Sequence, residues 1–146
     1  MRRHHIVLIL LGAACTQDGL GPTFKTVADL AGRWTLTQLE LTGVADPSQK
    51  VDLKTRFGIS ATLTIATGGQ AVLTASVQGS QSVDTATIAL HGDTLIYSRL
   101  GGSALAYVVS GSRTLMTWTA VATDDYFDLD GDGTGDESRE IDGWQR

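Results

Sequence analysis

From Gly32 onward the chain consists of short runs in which Val, Ile, Leu and Ala alternate with Thr, Ser and other polar residues. A period of two is the mark of a strand with one dry and one wet face. It is plainest where Ile59, Ala61, Leu63 and Ile65 face one way and Ser60, Thr62 and Thr64 the other. In the next run Leu73, Ala75 and Val77 oppose Val72, Thr74 and Ser76. Eight strands are predicted, at 33–42, 59–66, 71–78, 83–90, 94–100, 104–110, 114–122 and, more raggedly, 137–145. Gly68-Gly69, Gly79, Gly92-Asp93, Gly101-Gly102 and Gly111 separate them and supply residues that tolerate positive φ, as tight hairpins require. No helical period competes over any useful length.

Short turns make neighbours in sequence neighbours in space. A one-sided meander of eight strands must close or find a second sheet, and eight strands enclose a lumen wide enough for side chains or one small ligand. The expected fold is therefore all-β, an eight-stranded antiparallel up-and-down barrel. Ala61, Ala75 and Ala86 on inward-reading faces leave room, whereas Met116, Trp118 and Tyr107 are large enough to close it. Two functions follow from that choice. One is a carrier or sensor holding a small apolar ligand; the other is a protein-interaction or inhibitor module with a filled interior.

One connection, 43–58, is too long for a turn, and loops of that length are usually functional or mobile. Val27-Ala28-Asp29-Leu30-Ala31 leads into Gly32-Arg33-Trp34, a glycine–any–tryptophan triplet at the start of the first strand. With the long first loop, this resembles the lipocalin-like family over 26–146. The resemblance implies that Trp34 plugs the closed end, that Arg146 or Arg139 from the last strand covers it, and that 43–58 crosses the open mouth.

The N-terminus reads as an address. A basic start, Arg2-Arg3, precedes the apolar run Ile6 to Leu11, which is too short to span a bilayer needing roughly 20 residues. Gly12-Ala13-Ala14 then leads to Cys15, the sole cysteine. This arrangement resembles a bacterial lipoprotein precursor. The resemblance implies a signal peptide at 1–14, acylation of Cys15, a lipidated tether at 15–25 and a membrane partnership through the anchor. Thr16 follows the cysteine where an Asp would favour retention at the inner membrane, so the implied location is the outer membrane of the cell envelope.

The formal charge is −5, and loss of Arg2 and Arg3 would leave nine Lys+Arg against sixteen Asp+Glu. So acidic a chain repels nucleic acid. A mature chain with one histidine, His91, and one cysteine has no Cys/His zinc site, disulfide framework or Cys–His nucleophile pair. Nine of the sixteen acids fall within 124–142. There Asp128, Asp130, Asp132 and Asp136 occupy relative positions 1, 3, 5 and 9, with Gly133 at 6 and the Thr134 carbonyl at 7. A hard cation with six or more oxygen ligands needs such a set, and calcium suits it better than magnesium. Position 12 is Arg139, not the Glu of an EF-hand, and the loop resembles the D-x-D-x-D-G-x-x-D calcium hairpins of integrin-type and thrombospondin-type repeats. Glu137 or Glu140 would be a further ligand. Acids crowded into one glycine-rich loop make better ligands than catalysts, and no G-x-S-x-G elbow is present, so no enzyme is expected.

The anchor is testable directly. Metabolic labelling with a clickable fatty acid should mark the protein, and Cys15→Ala should abolish the label; label retained by the variant contradicts the assignment.

Overall fold

The computed structural model describes residues 24–146. The expected signal peptide at 1–14, Cys15 and most of the tether lie outside the described residues. Eight strands form a closed antiparallel up-and-down barrel. They are β1 (Gly32–Gly43), β3 (Ile59–Ile65), β4 (Gln70–Val77), β5 (Ser80–His91), β6 (Thr94–Arg99), β7 (Ala104–Gly111), β8 (Leu115–Ala120) and β10 (Asp136–Gln145), with β10 returning to pair with β1. Two short strands, β2 (Lys50–Asp52) and β9 (Asp124–Phe127), pair with the ends of β1 and β10 nearest the open mouth, beyond the reach of β3 and β8.

The alternation read from the sequence points the expected residues inward. Leu63 pairs with both Trp34 and Leu73, and residues directly opposite in a ladder share a face. In β1 the alternation changes phase. A bulge between Leu36 and Gln38 adds one residue opposite β10, so that Leu36 and Leu39 both face the lumen. Along β10 the inward row is Ser138, Glu140, Asp142 and Trp144, opposite Gly43, Leu41, Leu39 and Leu36. Arg139, the alternative cap, is on the other face and exposed.

The closed end is packed solid. Trp34, Leu63, Leu95 and Met116 are at most 1% exposed. Before β1, a one-turn helix α1 (Val27–Leu30) seals the barrel base, its start held by the Asp29 carboxylate, which accepts from the Lys25 and Thr26 N–H groups at 2.9 and 2.8 Å. These bonds hold the Asp29 carboxyl below its ordinary pKa. Trp34 Nε1 donates to Leu30 O at 2.8 Å, and the Arg146 guanidinium lies over the Trp34 ring, 4.4 Å from its centroid. Arg146 also donates Nη1 to Ala31 O at 2.6 Å and Nε to Arg113 O. Gly32 is required here: its φ is +138°, and a Cβ would come within 3.2 Å of Arg146 Nη1.

Three expectations need correction. Phe24, assigned to the tether, is 1% exposed and packs edge-on against Trp34 at 6.4 Å, because an aromatic ring beside the plug gains more from burial than from solvent. The segment 43–58 is not a bare loop, since it carries β2 and a one-turn helix, α2 (Leu53–Phe57). Local chemistry suffices for that turn. Asp52 accepts from the Thr55 N–H at 3.0 Å and from its hydroxyl at 2.5 Å, and Gly58 at φ 59° ends it. Finally, α1 and α2 are helices where none was expected; at four and five residues they are too short to show a helical period.

Trp34→Ala should destabilise the fold by roughly 3–5 kcal/mol, as large core truncations do. Arg146→Ala, which loses the stacked cation and its carbonyl bonds, should cost less, about 1–2 kcal/mol. Urea unfolding measures both, and an unchanged midpoint for Trp34→Ala would remove its role as the plug.

Candidate functional site

Above the plug the lumen is not filled. A cavity of about 300 Å³ opens toward the end where β1 leaves, β3 begins and β6 meets β7. Its two sides differ in chemistry. On β1, β3 and β4 the lining is Leu36, Leu39, Ile59, Ala61, Leu63, Leu73 and Ala75, and the alanines make the space. Ala86, expected to do the same, is buried in the core but does not line the cavity. Facing them, β6, β7, β8 and β10 present Tyr97, Tyr107, Trp118 and Trp144. The Trp118 ring lies 6.0, 5.3 and 5.7 Å from those of Tyr97, Tyr107 and Trp144, all tilted. Met116 thus fills the closed half, but Tyr107 and Trp118 line the cavity without closing it.

Three charged residues share this lining: Glu140, Asp142 and, at the rim, Arg99. Asp142 is 7% exposed, and its Oδ1 has no hydrogen-bond partner among the described residues. The same holds for Tyr97 OH, Trp118 Nε1 and Trp144 Nε1. Burial pushes the Asp142 carboxyl well above its ordinary pKa, and the neighbouring Glu140 charge adds to the shift. Glu140 is raised by burial and then by Asp124, while a hydrogen bond from Tyr107 works the other way. The Tyr107 phenol is raised too, by burial first and then by both carboxylates. Arg99 is paired with Asp84, and both side chains remain partly in water.

The acidic segment that reads as one cluster in the sequence is divided in two. Asp128, Asp130 and Asp136 converge in the loop between β9 and β10, each offering an oxygen within 4.8 Å of the others. Asp128 accepts from the Gly131 and Gly133 N–H groups at 2.6 and 2.8 Å, which holds its carboxyl below the ordinary value. Gly131 and Gly133 sit at φ 84° and 91°, where glycine is favoured. Asp132, expected as a fourth carboxylate, lies outside this convergence, and its Oδ1 caps the Thr134 N–H at 2.7 Å. Neither further ligand belongs here. Glu137 accepts from the Thr123 hydroxyl at 2.9 Å, and Glu140 faces the lumen.

Glu140 and Asp142 as lumen residues were therefore missed by sequence reasoning. The signal was present: counting back by twos from Trp144 reaches both, but the acidic run around them read as loop.

No protein-family model matches the chain, and a search of curated proteins finds no relative. Among solved structures, EF1p2_mFAP2b bound to DFHBI aligns with 20% identity and a TM-score of 0.43, over 83% of this chain and 96% of that one.

The buried carboxyls give stability a definite pH dependence. Their folded-state pKa values lie above the unfolded ones, so the folded chain keeps protons that the unfolded chain releases. The associated stability is complete below the ordinary carboxylate range and is lost as pH rises through the folded-state values, by about 1.4 kcal/mol per pH unit for each proton retained. Thermal melts between about pH 5 and 8 should show this fall, and Asp142→Asn should flatten it. An identical slope in the variant contradicts the burial of that carboxyl.

Proposed function

We propose that the protein is a lipid-anchored, non-catalytic component of the bacterial cell envelope, held at the outer membrane through Cys15, whose lipocalin-like barrel binds a small, largely apolar ligand. The observation that carries this reading is the cavity. A space of about 300 Å³, open at one end and walled by aliphatic and aromatic side chains with a few polar groups, has the make-up of a small-molecule site. The opposite end is sealed by Trp34, Phe24 and Arg146, which makes the barrel a cup with one mouth. The filled-interior alternative draws no support from Tyr107 and Trp118, which stand as walls.

In this reading a calcium ion has a structural role in the loop that opens β10. The carboxylate oxygens of Asp128, Asp130 and Asp136 form a hard, anionic donor set of suitable chemistry, within 4.8 Å of one another. Asp132 and the Thr134 carbonyl would join by local rearrangement of the glycine-rich turn. An ion held there would neutralise like charges and fix the start of the strand that carries Glu140 and Asp142 into the lumen.

Two measurements test the proposal. Native mass spectrometry of the protein purified from its own host should show a small organic mass in addition to the polypeptide, lost on mild activation; only the bare chain under all conditions contradicts the ligand. Thermal melts with calcium, magnesium or chelator should show calcium-specific stabilisation, about 2.7 kcal/mol at a hundredfold excess over Kd. Asp130→Ala should abolish it. A wild-type melt indifferent to calcium removes the ion from the account and leaves the barrel reading intact.

A further inference from the structure

The proposed ligand is described above only by size and general apolarity, whereas the lumen carries two acidic side chains at a fixed depth. Strand alternation brings Glu140, Asp142 and Trp144 successively to the inside of β10. Asp142 is almost fully enclosed, and one of its oxygens lacks a partner among the described residues. Glu140 lies one inward position nearer the mouth, roughly 7 Å along the strand. On the same side of the cavity stand the rings of Tyr97, Tyr107, Trp118 and Trp144, with Trp118 directly opposite Asp142 in the β8–β10 ladder, and their π-faces attract positive charge.

Taking the ligand-site reading as its basis, we propose that the cavity is specific for a small organic cation: an ammonium group held between Asp142 and Glu140, on a body packed against the aromatic wall.

The charges around the site favour this class over the others. From β10 come Glu140 and Asp142; from β6, Arg99 and Tyr97; from β7, Tyr107; and from β9, Asp124, whose charge acts on Glu140. Arg99, the one cation among the described residues that line the cavity, is engaged by Asp84 of β5 at the rim. An anion would meet two enclosed carboxyls. A neutral hydrocarbon would leave the Asp142 oxygen, the Tyr97 hydroxyl and two indole N–H groups dry and unpartnered. An amine supplies donors to the carboxylates, and a hydroxyl on its body would supply the acceptor that the indoles lack. Burial raises the pKa of both carboxyls, and arrival of a cation favours their ionised form. Binding should therefore release protons and tighten as pH rises above the ordinary carboxylate range.

Three near-isosteric probes separate head charge from everything else: tyramine, which is cationic, the neutral tyrosol, and the anion 4-hydroxyphenylacetate. In calorimetric titrations of the purified protein, tyramine should bind at least tenfold more tightly than tyrosol, and the anion most weakly. Titrations in buffers of different ionisation enthalpy should report proton release with tyramine and none with tyrosol. Asp142→Asn combined with Glu140→Gln should collapse the tyramine-to-tyrosol ratio toward one and remove the proton release. Each single variant should lower the ratio partway. Equal affinity for tyramine and tyrosol in the wild type, or a preference retained by the double variant, overturns the cation assignment while the small-ligand cavity stands. If none of the three probes gives heat with the wild type, the small-ligand reading falls with it.

Discussion

Everything in this molecule depends on how β10 closes against β1. The two strands pair from Thr35 opposite Gln145 to Gly43 opposite Ser138, and that ladder turns an eight-strand meander into a barrel without open edges. The same strand performs two further tasks. Just beyond its end, Arg146 reaches across the base to cover Trp34 and bond the carbonyl of Ala31. Along its inward face it presents Ser138, Glu140, Asp142 and Trp144 to the lumen. Closure, plug and site are thus consequences of one register. A slip of a single residue would turn the carboxylates to solvent and bring Arg139 and Ile141 inside.

That register carries an energetic cost. A buried polar group left without a partner costs about 1–3 kcal/mol, and here a carboxyl oxygen, a phenol and two indoles that share one cavity have no partner among the described residues. The tightly packed lower half offsets this, with Trp34, Leu63, Leu95 and Met116 almost wholly removed from water. The division is physical as well as spatial. Stability resides at the base, where polar atoms are satisfied, for example Trp34 Nε1 on Leu30 O. Unspent hydrogen-bonding capacity resides near the mouth, where a ligand can use it.

The barrel was legible because its strands are one-sided, and a period of two survives without any knowledge of partners. Ile59, Ala61, Leu63 and Ile65 are inward in the sequence pattern and inward in the fold. The glycine corners were legible for the same reason, since positive φ leaves its mark on residue type. The bulge in β1 was not, because an extra residue opposite Gly143 is a property of two strands together. The one-turn helices rest on single carboxylate caps, Asp29 and Asp52, which local hydrophobic patterning does not register. β10 looked ragged because its inward row is polar. The hydrophobic alternation failed at the strand that carries the candidate site, and reading its acids as part of the neighbouring loop concealed Glu140 and Asp142.

The central claim is that the lumen has an inert half and a receptive half, and its three tryptophans report on both. Trp34 is bonded and capped, whereas Trp118 and Trp144 line the cavity with unpartnered indole N–H groups among the described residues. In a ¹⁵N–¹H correlation spectrum followed through a tyramine titration, the indole signals of Trp118 and Trp144 should shift together and saturate, while that of Trp34 stays in place. Three stationary signals, or a shift confined to Trp34, would contradict the division on which the account rests.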